Sequence, residues 1–297
     1  MVLLVNKPLV KNSTDYRWQM LQLRLYEKRI IEAFDFLRQN NIEPILIKGW
    51  AAAQTYPEPY QRQFTDIDLM VSPETYSKTV DCLKNYSENY LIDLHKGAQP
   101  LDSLPFESLY KNSITLLCQG TEIRVLCAED HLRVLCVHWL MDGGEYKDRL
   151  WDIYHAVENR PFNFDWVKCL NVVSEKRKKW IVYTISLAHK YFGLNLQDTP
   201  LANKIDDIPE WIIKTLEKEW ASEINSILLV HCLNDKKKLL QQVRRRISPN
   251  PVKATVDMEG NLDNKLQIFY QIGDIFFRLK PSVKRISKAL YLIFKNK

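Results

Sequence analysis

The sequence predicts an α+β protein, with a small mixed-sheet domain at residues 1–128 followed by a helical domain at residues 129–297. Three observations predict it. Between residues 44 and 126, short apolar runs are bounded by Gly, Pro, Asn and Ser, as buried strands between turns are. After Ala128 the apolar period is helical almost without interruption. A hydrophobic fraction of 46% with 26% charged residues supplies a substantial core and excludes a disordered chain.

Each element can be justified in order. From Tyr16 to Gln39 the apolar residues Leu21, Leu25, Ile30, Ile31, Phe34 and Leu37 recur at helical spacing, and Asn40-Asn41 supplies a stop. Pro44 to Ile47 is a wholly apolar run ending at Lys48-Gly49, which reads as a buried strand and a turn. Trp50 to Tyr56 reads as a brief Ala-rich helix ended by Pro57. Ile67 to Val71 is a second strand, and Ser72-Pro73 reads as the cap and first position of a helix running to about Tyr86. Tyr90–His95, Ile114–Cys118 and Glu122–Leu126 read as three more strands, the last two joined at Gln119-Gly120. Helical period then marks residues 129–141, 148–158, 164–190, 209–233, 235–247 and 262–295.

Charge divides unevenly along the chain. Residues 1–150 hold 17 Lys/Arg against 20 Asp/Glu, and residues 151–297 hold 25 against 16. The first half is therefore the place for acidic chemistry, and the second faces something anionic. The apolar start breaks at Lys7, and no uncharged stretch is long enough to span a bilayer. A cytoplasmic protein is expected. Six cysteines without a Cys-x-x-Cys pair argue against structural zinc and for buried, reduced thiols.

The chemistry concentrates in Lys48-Gly49, Arg62 and Thr65-Asp66-Ile67-Asp68-Leu69-Met70-Val71. Residues two apart on a strand share a face, so Asp66 and Asp68 project together while Ile67 and Leu69 enter the core. Convergent carboxylates suit a pair of Mg²⁺ ions, or Mn²⁺ in their place, that activate an oxygen nucleophile and neutralise a leaving pyrophosphate. Asp93 is the candidate third carboxylate, in preference to Glu122, and His95 shares its face. Gly49, between a strand and a helix, lets the backbone approach a phosphate near a helix N-terminus. Lys48 and Arg62 add positive charge against a triphosphate.

Residues 45–71 resemble the DNA polymerase β-like nucleotidyltransferase superfamily. More narrowly, they resemble its bacterial branch of poorly characterised proteins, through Lys48-Gly49, Tyr56-Pro57, Arg62 and Asp66-Ile67-Asp68-Leu69. Asp93-Leu94-His95, His138 and Leu150-Trp151-Asp152 extend the resemblance over residues 20–160. It implies a nucleotidyltransferase domain, bound Mg²⁺, a nucleoside triphosphate such as ATP as donor, and transfer to a small-molecule, glycan or peptide acceptor. The wider superfamily commonly has Gly-Ser or Gly-Gly where this chain has Gly49-Trp50, and a tryptophan there is expected to pack under the loop. Two alternatives share the same strands: a catalytically silent nucleotide-binding or interaction module, and a toxin or regulator that modifies tRNA or protein.

Other features have plainer readings. His138 on an apolar helix reads as a packing histidine, Asp142-Gly143-Gly144-Glu145 as a turn, and Asp152 as an acidic first-turn residue favoured by the helix dipole. Lys236-Lys237-Lys238 and Arg244-Arg245-Arg246 read as solvated faces, with an anionic acceptor or a polynucleotide as the sharper option. After Asp274 there is no acidic residue, and Val283, Ile286, Leu290 and Ile293 would form one helical stripe. That stripe would dock on the protein or lie on an anionic membrane surface, the latter peripheral to the inner membrane.

Overall fold

The computed structural model describes residues 14–203, 208–222, 235, 237, 240–241 and 249–277. The fold is α+β, and the chain forms two compact units that interleave in sequence. The first comprises residues 1–135 and 151–173, the second residues 136–150 and 174–297.

The first unit is built on helix α1 (Thr14–Gln39) and a five-stranded mixed sheet. Its strands are β1 (Ile45–Leu46), β2 (Ile67–Val71), β3 (Ile92–Lys96), β4 (Ile114–Cys118) and β5 (Thr121–Val125), ordered β3-β2-β1-β5-β4. β2–β3 and β1–β5 pair in parallel, while β1–β2 and β4–β5 are antiparallel. Helices α2 (Gly49–Ala53), α3 (Tyr76–Leu83) and α4 (Phe106–Asn112) fill the connections. Gln119 and Gly120 both take positive φ, 49° and 91°, so β4 and β5 are joined by the two-residue turn whose twist matches the strands.

Leu23, Ile30, Phe34 and Leu37 of α1 join Leu46, Ile67, Leu69, Val71, Ile123 and Val125 in one core cluster. The stripe differs from the sequence reading, since Leu21 and Leu25 are exposed at 60% and 45%. Glu27 takes the core position between Leu23 and Ile30. It is buried because its carboxylate accepts hydrogen bonds from Trp50 Nε1 (3.3 Å), Gln119 Nε2 (2.9 Å) and Arg24 Nη1 (2.9 Å). Trp50 thus packs beneath the loop, as expected.

Other boundaries move. Residues 73–75 form a turn, with the Thr75 N–H donating to Ser72 Oγ at 3.2 Å, and α3 begins only at Tyr76. The period read through 164–190 conceals a break. Asp165 caps α7 (Trp166–Leu170), and Ser174 caps a separate helix, α8 (Glu175–Phe192). Helix α4 and a helix over Pro251–Asp257 lie where the sequence pattern indicates none.

Helix α5 (Ala128–Met141) spans the two units, and α6 (Leu150–Glu158) lies almost wholly in the first. In the second unit, α8 ends at Gly193 in the left-handed conformation, φ 73°. Trp180, Ile185, Leu187, Ile212, Leu216 and Val252 are fully buried there, drawn from α8, α9 (Glu210–Trp220) and α10 (Pro251–Asp257). The Asp142–Glu145 turn is a packing device: Gly144 O accepts from Trp220 Nε1 (2.7 Å) and Gly143 O from Asn250 Nδ2 (3.0 Å). His138, read as a packing residue, is instead partly open to solvent beside Asp142.

Residues 268–277 are helical. Ile268, Phe269, Ile272 and Phe276 fall within one arc of that helix, and all are exposed. Its opposite side turns inward, with Tyr270 Oη receiving Asn264 Nδ2 (2.6 Å), Gln271 Nε2 donating to Pro249 O (2.7 Å), and Asp274 fully buried. The basic triplets, apart from Lys237, and the stripe at Val283–Ile293 lie outside the described residues.

Candidate active site

The site begins where β1 ends. The Ile47 N–H donates to Asp68 O at 3.0 Å, which carries the β1–β2 ladder one residue further. Lys48 then takes φ 58° and ψ −149°, a conformation rarely populated by residues with a side chain, and Gly49 follows at φ 42°. Two successive positive-φ residues swing the chain from the sheet into α2. A Cβ on Gly49 would meet Asp66 O at 3.6 Å. All five α2 residues are buried.

The turn sends the Lys48 side chain back to β2. Its Nζ lies 2.6 Å from Asp68 Oδ1, with side-chain exposures of 8% and 4%. Asp68 is in direct register with Asp93 on parallel β3, and Met70 with His95. Strand period therefore places Asp68, Asp93 and His95 on one face. His95 Nε2 is 3.3 Å from Asp68 Oδ1 and 3.4 Å from Asp93 Oδ2. Among the described residues, these three form the one His/Cys/Asp/Glu group whose ligand atoms gather within 4.8 Å.

Asp66 lies just ahead of β2, exposed and outside that group. Surrounding protein pushes its carboxyl above the usual range, and the charges of Asp68 and Asp93 push it further, against the pull of Lys48. Burial works on Asp68 in the same direction, but the His95 hydrogen bond and the Lys48 ammonium outweigh it and leave that carboxyl below the usual range. Neighbouring aspartates are thus driven apart in acidity, Asp66 upward and Asp68 downward. Glu122 stands on β5, separated from β2 by β1.

Arg62 was read as a phosphate ligand. In the structure its Nε and Nη2 donate to Asp152 Oδ1 (3.1 Å) and Oδ2 (2.9 Å), and Nη1 donates to Gln63 O (3.2 Å). Tyr56 Oη donates to the same Asp152 Oδ1 at 2.7 Å. Burial disfavours the guanidinium charge, yet Asp152 raises the pKa above the ordinary arginine value. Asp152 is 4% exposed, so it is a buried counter-charge and more than a first-turn acid. His131 lies nearby and was not singled out in the sequence. Burial drives its pKa down to about 4, with Asp152 opposing and Arg62 assisting. Its neighbours Glu129, Asp130 and Arg133 are charged, so nothing local in the sequence marks it as buried.

The fold and this geometry can be set beside known proteins. Residues 5–90 match the family model described as uncharacterised nucleotidyltransferase. That span contains Lys48, Gly49, Tyr56, Arg62, Asp66 and Asp68, and ends before β3. No curated protein and no solved structure matches the chain. The matched domain supports a nucleotidyl-transfer role, and the carboxylate–imidazole group supplies donors suited to a divalent cation.

Proposed function

We propose that this protein transfers a nucleoside monophosphate from a nucleoside triphosphate to an acceptor hydroxyl or similar group on a small molecule, glycan or peptide. The observation that carries the reading is the register pairing of Asp68 with Asp93 beside the Lys48–Gly49 turn. Asp68, Asp93 and His95 would hold the cation, Mg²⁺ or Mn²⁺. When bound, the cation neutralises triphosphate charge and promotes ionisation of the attacking oxygen. Lys48 orients the triphosphate by its single positive charge. Asp66, solvent-open just ahead of β2, accepts the acceptor's proton at its carboxylate. Arg62 and Asp152 form a fixed wall that keeps Tyr56 and the strand approach in place.

Incubation of the protein with α-labelled triphosphates, divalent cation and cell extract, followed by mass spectrometry of labelled products, tests this reading. Parent protein should give a nucleotide-modified product, and Asp68→Asn and Asp93→Asn should lower its yield by at least about 100-fold. Glu122→Gln should leave it unchanged. Nucleotide binding with no product from any extract would favour the catalytically silent module, and label on tRNA or protein would favour the toxin or regulator.

The chain also has a surface suited to an anionic membrane. Support comes from the exposed stripe of Ile268, Phe269, Ile272 and Phe276, followed in sequence by Arg278, Lys280, Lys284, Arg285 and Lys288 with no acidic residue. No helix among the described residues is long and apolar enough to cross a membrane. Contact there would be peripheral, from the cytoplasmic side, and would suit an acceptor destined for the cell envelope.

A further inference from the structure

The Lys48–Asp68 pair has a geometry that bears on how the site is loaded. Both side chains are almost wholly removed from solvent, and Nζ to Oδ1 is 2.6 Å. The same Oδ1 is also approached by His95 Nε2 at 3.3 Å. A carboxylate inside a protein needs compensating positive charge, and here the lysine supplies it. The remaining donors are already assembled: Asp93 and His95 stand with Asp68 within 4.8 Å of one another. Cation binding therefore requires no strand to move. It requires Asp68 to exchange one positive partner for another.

Lysine is fitted to such an exchange. Its ammonium is a point charge on a flexible four-carbon stem, whereas an arginine in its place could hold a carboxylate by two parallel hydrogen bonds. The backbone contributes as well, because Lys48 is held at φ 58° between the Ile47–Asp68 hydrogen bond and Gly49. The stem is thereby aimed at β2, and the only freedom left to it is its own rotation.

We infer that Lys48 is a built-in stand-in for the divalent cation: it neutralises Asp68 before a cation binds and gives up that carboxylate when cation and nucleotide arrive together. Freed from Asp68, the ammonium turns to the triphosphate. The exchange makes cation and nucleotide mutually dependent. A cation alone must displace the lysine without giving it a new partner, whereas a cation arriving with a triphosphate provides one. Coupling of this kind is reciprocal, so the nucleotide must tighten the cation by the factor the cation tightens the nucleotide. The inference rests on the reading of Asp68 as a cation ligand.

The test uses full-length protein and Mn²⁺, whose free ion is counted by its paramagnetic resonance signal. Titrations would be run with and without a non-hydrolysable α,β-methylene triphosphate. Parent protein should bind Mn²⁺ weakly alone and about 10–100-fold more tightly with the triphosphate. Lys48→Met should bind Mn²⁺ alone at least about tenfold more tightly than the parent and lose most of the enhancement by nucleotide. Lys48→Gln should behave alike, and serves if the methionine variant does not fold. Lys48→Arg should keep the weak binding of the parent. Equal or weaker Mn²⁺ binding by the folded Lys48→Met or Lys48→Gln protein, with binding still abolished by Asp68→Asn, overturns the stand-in role alone. Mn²⁺ binding insensitive to Asp68→Asn in every protein overturns the proposed metal centre as well.

Discussion

Arg62 and Asp152 stand 90 residues apart in the chain and meet through two hydrogen bonds, Nε to Oδ1 and Nη2 to Oδ2. Tyr56 shares the same carboxylate. Three positions that the resemblance draws from separate stretches of the chain are therefore one buried network. Such a pair is costly to break from one side, because the surviving charge stays buried without its partner.

Asp152→Asn should accordingly lower stability by about 3–5 kcal/mol in urea unfolding. Arg62→Lys, which keeps the charge and loses the two-pronged geometry, should cost less. If Asp152→Asn unfolds at the urea midpoint of the parent, the pair is not structural.

Acid should act on His131. Its pKa falls from 6.5 to about 4 because burial disfavours the imidazolium, and its Nε2 has no hydrogen-bond partner among the described residues. The unfolded chain takes up a proton below about pH 6.5 that the folded one refuses until about pH 4. Stability is thus fully present above pH 6.5 and drains away as pH falls through this window, by about 3 kcal/mol. His155, also lowered by burial, adds in the same direction. The difference between parent and His131→Leu across pH 7 to 4, from denaturant melts at each pH, should isolate the His131 share. A parallel pair of curves would show that His131 does not titrate as its burial demands.

Two glycines of the second unit separate conformational strain from steric overlap. Gly193 and Gly144 both have positive φ, 73° and 66°. A Cβ on Gly193 meets nothing within 4 Å, whereas one on Gly144 would come within 2.3 Å of Leu216 and 2.8 Å of Trp139. Gly193→Ala should cost about 1 kcal/mol and Gly144→Ala about 2–4 kcal/mol. Thermal melts of the two variants should show the larger fall in Tm for Gly144→Ala, and the reverse order would contradict the packing described.

The outward stripe at Ile268–Phe276 predicts vesicle binding. Full-length protein should co-sediment with vesicles containing anionic phospholipid and much less with zwitterionic ones. Phe269→Ser/Phe276→Ser should lose most of that binding, since each buried aromatic contributes about 1.5–3 kcal/mol. Self-association of the parent, abolished by the same double change, would instead assign the stripe to a second copy.

Much of the first unit's frame was legible because its signals are local. Ile67–Val71 and Ile114–Cys118 have the bounds their apolar runs suggest, and Gln119-Gly120 forms the two-residue turn expected there. That Asp93 and His95 share a face follows from strand period. That Asp68 is Asp93's register partner does not, because strand order is settled by tertiary packing. The misreadings share a cause: polar residues placed where pattern expects apolar ones, or caps hidden inside a continuing period. Glu27 occupies a core position of α1, Asp152 is buried by a residue far upstream, and Asp165 and Ser174 divide what the apolar period joined. For Glu27 and Asp152 a hydrogen-bond partner distant in sequence decides the outcome, and no local window contains it, whereas the two caps bond only two or three residues onward and are masked by the apolar period around them.

The separation of Arg62 from Asp152 has a consequence for the order in which the chain is made. Translation delivers the last sheet residue, Val125, well before Asp152, and at about 5–20 residues per second a few seconds lie between them. During that interval a nascent chain can complete all five strands while Arg62 still lacks its counter-charge. The growing polypeptide thus carries Arg62 without its buried partner until Asp152 and the rest of α6 have been made.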